Sequence, residues 1–168
     1  MSLVRKLLIL FLFTTFISSL SAQEIKKVGK FKDWESIIVI NGSQKLCFAQ
    51  SKPVLQSPKK TGREARLFIS FRPADKIQDE ISITSGYEYN KQNSVIAKSG
   101  KHKIKFDIKE QSFAWIADTK VEKKMVNVLK KGSRIMVTGY NQSGSQTIDH
   151  YSLMGFTKAY NTAKKSCA

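Results

Sequence analysis

A mainly β protein, an antiparallel β-sandwich or barrel with two short helices, is predicted by three observations. Apolar residues come in short runs of strand length, and in Lys103–Ile108 they alternate cleanly with polar ones. Turn residues separate these runs at intervals of about 8 to 12 positions. No alternation of strand and helix of the kind that builds a parallel sheet is present. The pattern amounts to about eight or nine short strands.

Taken in order, Gln23 to Asp33 is polar and lysine-rich and reads as a lead-in, with Phe31 and Trp34 as the first aromatic anchors. Ser36–Ile40 and Leu46–Gln50 flank Asn41, Gly42 and Ser43, a strong hairpin signal. Asn41-Gly42-Ser43 and Asn141-Gln142-Ser143 are formal glycosylation sequons, but turn chemistry explains both. Ser51–Arg63 holds Pro53, Pro58 and a glycine among four basic residues and reads as an exposed loop. Arg66–Arg72 is apolar on both faces, as a central sandwich strand should be, and Pro73 ends it. Glu80–Thr84, Ser94–Lys98, Lys103–Ile108 and Ser112–Ile116 continue the strands, with Ile104, Phe106 and Ile108 expected on one face.

The period changes at Thr119. Val121, Met125, Val128 and Leu129 form one helical stripe, Thr119 and Glu122 have capping-box spacing, and Lys130, Lys131 and Gly132 supply a basic last turn and a stop. Ser133–Tyr140 and Gln146–Leu153 return to strand character as a hairpin. After Gly155, residues Phe156, Ala159, Tyr160 and Ala163 mark a short amphipathic helix that carries Cys167.

Residues 1–22 read as a secretory signal peptide: Arg5 and Lys6, an apolar run from Leu7 to Ile17, then small residues. That run is about 11 residues, short of the roughly 18 needed for a membrane-spanning helix, which is the weaker alternative. Cleavage is expected after Ala22, with Ser21 as an open alternative, leaving residues 23–168 as a single domain. No transmembrane segment is expected in that mature chain. In an oxidising compartment the two cysteines, Cys47 and Cys167, read as one disulfide closing a loop of about 120 residues, the alternative being two free or intermolecular thiols.

The chain carries 29 Lys and Arg against 13 Asp and Glu, a formal charge of +16, which removal of Arg5 and Lys6 reduces to +14. Such a balance favours anionic partners. Only five of the basic residues are arginine, and phosphate or base readout by nucleic-acid binders leans on the guanidinium fork, so no nucleic-acid partner is expected. A lysine surplus of purely compositional origin is the alternative.

No catalytic, cofactor-binding or metal-binding residues are assigned, and no cofactor is expected. His102 and His150 lack metal-ligand neighbours, and Asp149 next to His150 points to the opposite face of a strand. Ser143-Gly144-Ser145 lies at a hairpin tip, where a nucleophile elbow would need a strand and a following helix. Lys101, Lys103 and Lys105 with Phe106, or Phe68 with Arg66 and Arg72, have the composition of a stacking platform, but half-buried strands show the same alternation and a core role is expected. Trp34 and Trp115 are likewise expected as core anchors.

The order of several short motifs resembles the invasion associated locus B family of exported proteins from Gram-negative bacteria. The motifs are Phe31-x-Asp33-Trp34, Cys47-Phe48-Ala49 with Ser51-Lys52-Pro53, Phe71-Arg72-Pro73, Ala114-Trp115, Leu129-Lys130-Lys131-Gly132, Met136-Val137-x-Gly139, and Tyr151 to Phe156 with Ala159, closed by Cys167. The resemblance implies an immunoglobulin-like β-sandwich, periplasmic or outer-membrane-associated, and transfers no catalytic residue. The expected function is therefore a non-catalytic envelope protein whose cationic surface meets an anionic component such as lipopolysaccharide, or a protein partner. The alternatives are a surface adhesion or host-cell invasion factor, and a hydrolase of envelope polymers. Ligand-binding residues and oligomeric state are not assigned.

Overall fold

Strand-length apolar runs bury one face each, and two sheets that share those faces make the core. A computed structural model describes residues 23–59 and 62–168; the expected signal peptide lies outside the described residues. Twelve strands form two antiparallel sheets packed as a sandwich: β1 (Glu24–Phe31), β2 (Trp34–Asn41), β3 (Gln44–Ser51), β4 (Leu55–Ser57), β5 (Arg66–Arg72), β6 (Ile77–Thr84), β7 (Val95–Ser99), β8 (His102–Phe106), β9 (Ile108–Glu110), β10 (Phe113–Trp115), β11 (Arg134–Tyr140) and β12 (Gln146–Ser152). The larger sheet runs β1-β2-β3-β5-β6-β10-β9 and the smaller β4-β12-β11-β7-β8. Two helices, α1 (Thr119–Lys131) and α2 (Phe156–Ser166), complete the fold. β5, apolar on both faces, is the middle strand of seven, as expected.

Four local expectations are corrected. The lysine-rich lead-in is the edge strand β1, paired along its length with β2. An edge strand with little burial shows no apolar alternation, and its lysines discourage pairing with another chain. Within the expected loop Ser51–Arg63, Leu55–Ser57 pairs with β12 as a second edge. The single strand Lys103–Ile108 is two strands in different sheets: β8 pairs β7 and β9 pairs β10. Its alternation runs straight through the corner at Asp107, so Ile104 and Phe106 are buried while Ile108 is 49% exposed. Finally, α1 is capped by Asp118, whose Oδ1 accepts from the Lys120 N–H at 2.7 Å, so Thr119 is the first helical residue.

That shift moves Glu122 one position past capping-box reach. It turns inward instead, and its Oε1 accepts from the backbone N–H of Ile81 at 2.9 Å. Burial raises the Glu122 pKa above 4.5, partly offset by that hydrogen bond. A raised folded pKa means that the folded chain keeps a proton the unfolded chain has released, so this group's contribution falls as pH rises through and above 4.5. Glu122→Gln keeps an acceptor for Ile81 and removes the titration. It is expected to be more stable than the parent at pH 8, with the gap closing toward pH 4 in urea unfolding. A gap independent of pH would refute the assignment.

The two helices fill the layer beside the smaller sheet. α2 packs on the inner face of β1 to β3, with Trp34 fully buried edge-on against Phe156 at 4.9 Å and its indole N–H donating to the Ser152 carbonyl at 2.9 Å. Gly155 starts this helix at φ 93°, where a Cβ would lie 1.8 Å from the Phe31 carbonyl oxygen. Only glycine meets both conditions. At the helix end Cys167 is bonded to Cys47 on β3, as the cysteine count predicts.

One charged pair lies inside. Arg63 forms a two-pronged ion pair with Asp149 of β12 at 2.5 and 2.7 Å and also donates to the Ser85 carbonyl at 3.0 Å. It joins the segment entering β5 of the larger sheet to β12 of the smaller one.

Candidate functional site

Helix α1 is amphipathic, and the lysines opposite its buried stripe border two concavities. The groove at its N-terminal end, about 650 Å³, is bounded by Trp115, Ile108 and Glu122 and mixes Lys76 and Lys123 with Glu80 and Glu110. Its two lysines face three carboxylates, and Glu80 is already held by Arg72 at 2.8 Å.

The second cleft, about 800 Å³, lies between the C-terminal half of α1, the β7–β8 turn and the start of β11. Its lining carries Lys101, Lys123, Lys124, Lys131 and Arg134, together with His102, and no carboxylate. All five permanent cations are exposed. Among the described residues the ion pairs engage Lys27, Lys52, Arg63, Arg66, Arg72 and Lys105, and none engages a cation of this cleft.

Two hydrogen bonds fix the start of β11 against the β7–β8 turn and the end of β12. The Ser99 hydroxyl donates to the Arg134 carbonyl at 2.9 Å, and the Leu153 N–H donates to the Ser133 carbonyl at 3.0 Å. Gly132 ends the helix in an extended conformation, φ −84°, and not in the left-handed one usual for a glycine stop. Its role is steric: a Cβ there would lie 2.9 Å from Leu153 Cδ1 and 3.0 Å from Ser99 Oγ, so glycine lets the helix end approach the turn.

A cavity of this volume is about 9 to 12 Å across, the same order as the roughly 8 Å Debye length at physiological ionic strength, so its cations act jointly on a ligand that fills it. Lys130 and Lys131 also face the negative end of the α1 dipole, which offsets part of their mutual repulsion. The arrangement can hold anionic groups by charge and hydrogen bonding.

The residues singled out in the sequence are dispersed. His102 lines the cationic cleft, whereas His150 sits on the outer face of β12 with Asp149 pointing inward behind it. Ser143 and Ser145 are at the β11–β12 hairpin tip, where Asn141 Oδ1 accepts from the Ser143 hydroxyl and the Ser145 N–H, both at 2.8 Å. Phe106 is fully buried on the face opposite Lys103 and Lys105, as a core role requires.

Phe68 and Trp115 depart from expectation. Both are half-buried on the outer face of the larger sheet, Phe68 against Phe48 at 5.8 Å and Phe113 at 6.2 Å, and Trp115 stacked on Phe113 at 5.7 Å. Alternation assigns residues to two faces of a strand but does not say which face meets the core when both are apolar. Arg66 and Arg72, beside them, are engaged by Glu64 and by Asp75 and Glu80.

Sequence reasoning missed the cluster itself, because its members come from the β7–β8 turn, α1 and the start of β11. One signal was available: α1 carries five lysines, with Lys120 and Lys124 at the unfavourable i, i+4 spacing, and its one carboxylate, Glu122, points into the core.

The described residues form a two-sheet sandwich with a lysine-lined cleft beside α1. The family model for Invasion associated locus B (IalB) protein matches residues 34–164, and the chain belongs to this family. Membership fits an exported, envelope-associated protein, and no described helix is long and apolar enough to cross a membrane. No curated protein and no solved structure matches the chain.

Proposed function

We propose that this is a non-catalytic protein of the periplasm or outer membrane that uses its cationic surface to hold an anionic envelope component, with lipopolysaccharide as the first candidate. The observation that carries the proposal is the 800 Å³ cleft lined by five permanent cations and no carboxylate. Family membership, the signal-peptide pattern of residues 1–22 and the +14 charge of the expected mature chain support it. The family description itself, invasion associated, favours a second reading as a surface adhesion or host-cell invasion factor. Protease treatment of intact cells separates the two, since only a surface-exposed chain is cut.

Binding of the oxidised mature protein to lipopolysaccharide across a salt series tests the first reading, with a lysine-rich globular protein of equal charge as control. Affinity above the control that persists at physiological salt is the expected result. Affinity that matches the control and vanishes with salt would make the lysine surplus compositional.

A further inference from the structure

We infer that the cleft between α1 and the β7–β8 turn is a site for a ligand bearing two or more phosphate groups. This deepens the reading above and rests on its premise that the charge serves a ligand. The first support is the isolation of the cations. Three lysines elsewhere on the described surface are paired with carboxylates, Lys27–Glu35, Lys52–Glu64 and Lys105–Asp107, whereas the cleft gathers five cations with no carboxylate in its lining. The 650 Å³ groove at the other end of the same helix, which shares Lys123 with the cleft, is lined by Glu80, Glu110 and Glu122 instead.

The second support is tolerated repulsion. Lys98 and Lys103 are directly opposed across β7 and β8, continuing the positive surface beside the cleft. Like charges in that register destabilise a sheet, as Lys120 and Lys124 do a helix. Both costs fall next to one cavity.

The third is the ligand's own charge. A single carboxylate would neutralise one of the five permanent cations. A phosphate monoester carries about −1.5 to −2 at neutral pH, so two of them bring about −3 to −4 and offset most of the charge of Lys101, Lys123, Lys124, Lys131 and Arg134. The ammonium groups supply non-directional charge and Arg134 a planar fork, while Asn127 and Ser133 add polar side chains to the same wall. A phosphorylated lipid headgroup and a free pyrophosphate-type anion share this chemistry.

Three ligands are titrated into the ¹⁵N-labelled, oxidised mature protein at physiological salt: inorganic pyrophosphate, lipopolysaccharide, and the same lipopolysaccharide with its phosphates removed. Pyrophosphate is expected to shift amides of Gly100, Lys101, Asn127 and Ser133. The variant Lys101→Gln/Lys124→Gln/Arg134→Gln is expected to weaken binding by roughly tenfold or more, since three charge-assisted contacts are lost. Lys26→Gln/Lys45→Gln/Lys91→Gln removes the same charge elsewhere and is expected to stay within about twofold. All six side chains are exposed, so the variants should melt with the parent.

Lipopolysaccharide binding that depends on its phosphates and on the cleft lysines identifies a headgroup. Pyrophosphate seated in the cleft without lipopolysaccharide binding above the charge-matched control upholds this site, identifies a free anion, and overturns the envelope-ligand reading. Lipopolysaccharide binding that survives dephosphorylation, or that falls equally in both variants, overturns the phosphate site and leaves the envelope-ligand reading standing.

Discussion

Asp149→Ala is expected to destabilise the protein by about 3–5 kcal/mol, because it leaves a buried guanidinium without its partner. The Arg63 and Asp149 side chains are only 5% and 1% exposed, which separates this pair from every other ion pair among the described residues. Burial works against the Arg63 charge, and the hydrogen-bonded Asp149 carboxylate more than restores it, so the guanidinium pKa is raised. The expected loss corresponds to a fall in Tm on the order of 10 °C for a chain of this size. Arg63→Met/Asp149→Leu should recover most of it, since neither charge then remains to be solvated inside. Urea unfolding followed by circular dichroism reads all the variants. A loss below about 1 kcal/mol for Asp149→Ala would reduce the pair to the rank of an exposed one and overturn its role in holding the two sheets together.

Cutting the Cys47–Cys167 bond is expected to cost about 2–5 kcal/mol, the range seen when a native disulfide is lost. The bond closes a loop with a sequence separation of 120, for which chain entropy alone gives an upper figure of about 4 to 5 kcal/mol. Cys167→Ser is the cleaner test, since Cys167 is at the chain's last turn whereas Cys47 is fully buried on β3. The Trp34–Phe156 contact and the Ser36 hydroxyl bond to the Ala159 carbonyl at 2.7 Å stay in place, so α2 should remain docked. The expected signature is a lower urea midpoint with a near-parental tryptophan spectrum. A changed spectrum would mean that the bond itself, and not the packing, seats the helix.

The 800 Å³ cleft was far less legible than these elements. Lys101 was visible at the head of an alternating strand, but nothing in a linear sequence says that Lys124 and Lys131 share a cleft with it. The same limit explains Phe68 and Trp115, whose apolar character did not reveal which side of the sheet is open to water. It also explains Asp107, where the chain passes from one sheet to the other without breaking its alternation.

Local chemistry was enough where the determining partner is a near neighbour or a count. The Gly42 turn, the middle strand β5, the end of that strand at Pro73 and the buried stripe of α1 all follow from residues within a few positions of one another. The Cys47–Cys167 bond followed from two cysteines in a chain whose first 22 residues read as an export signal. The tertiary structure alone decided which face of each sheet is dry, that Arg63 reaches Asp149 and that five separate cations share one cavity. Burial and electrostatics depend on distance in space, which pairing of strands far apart in the chain sets and sequence spacing does not.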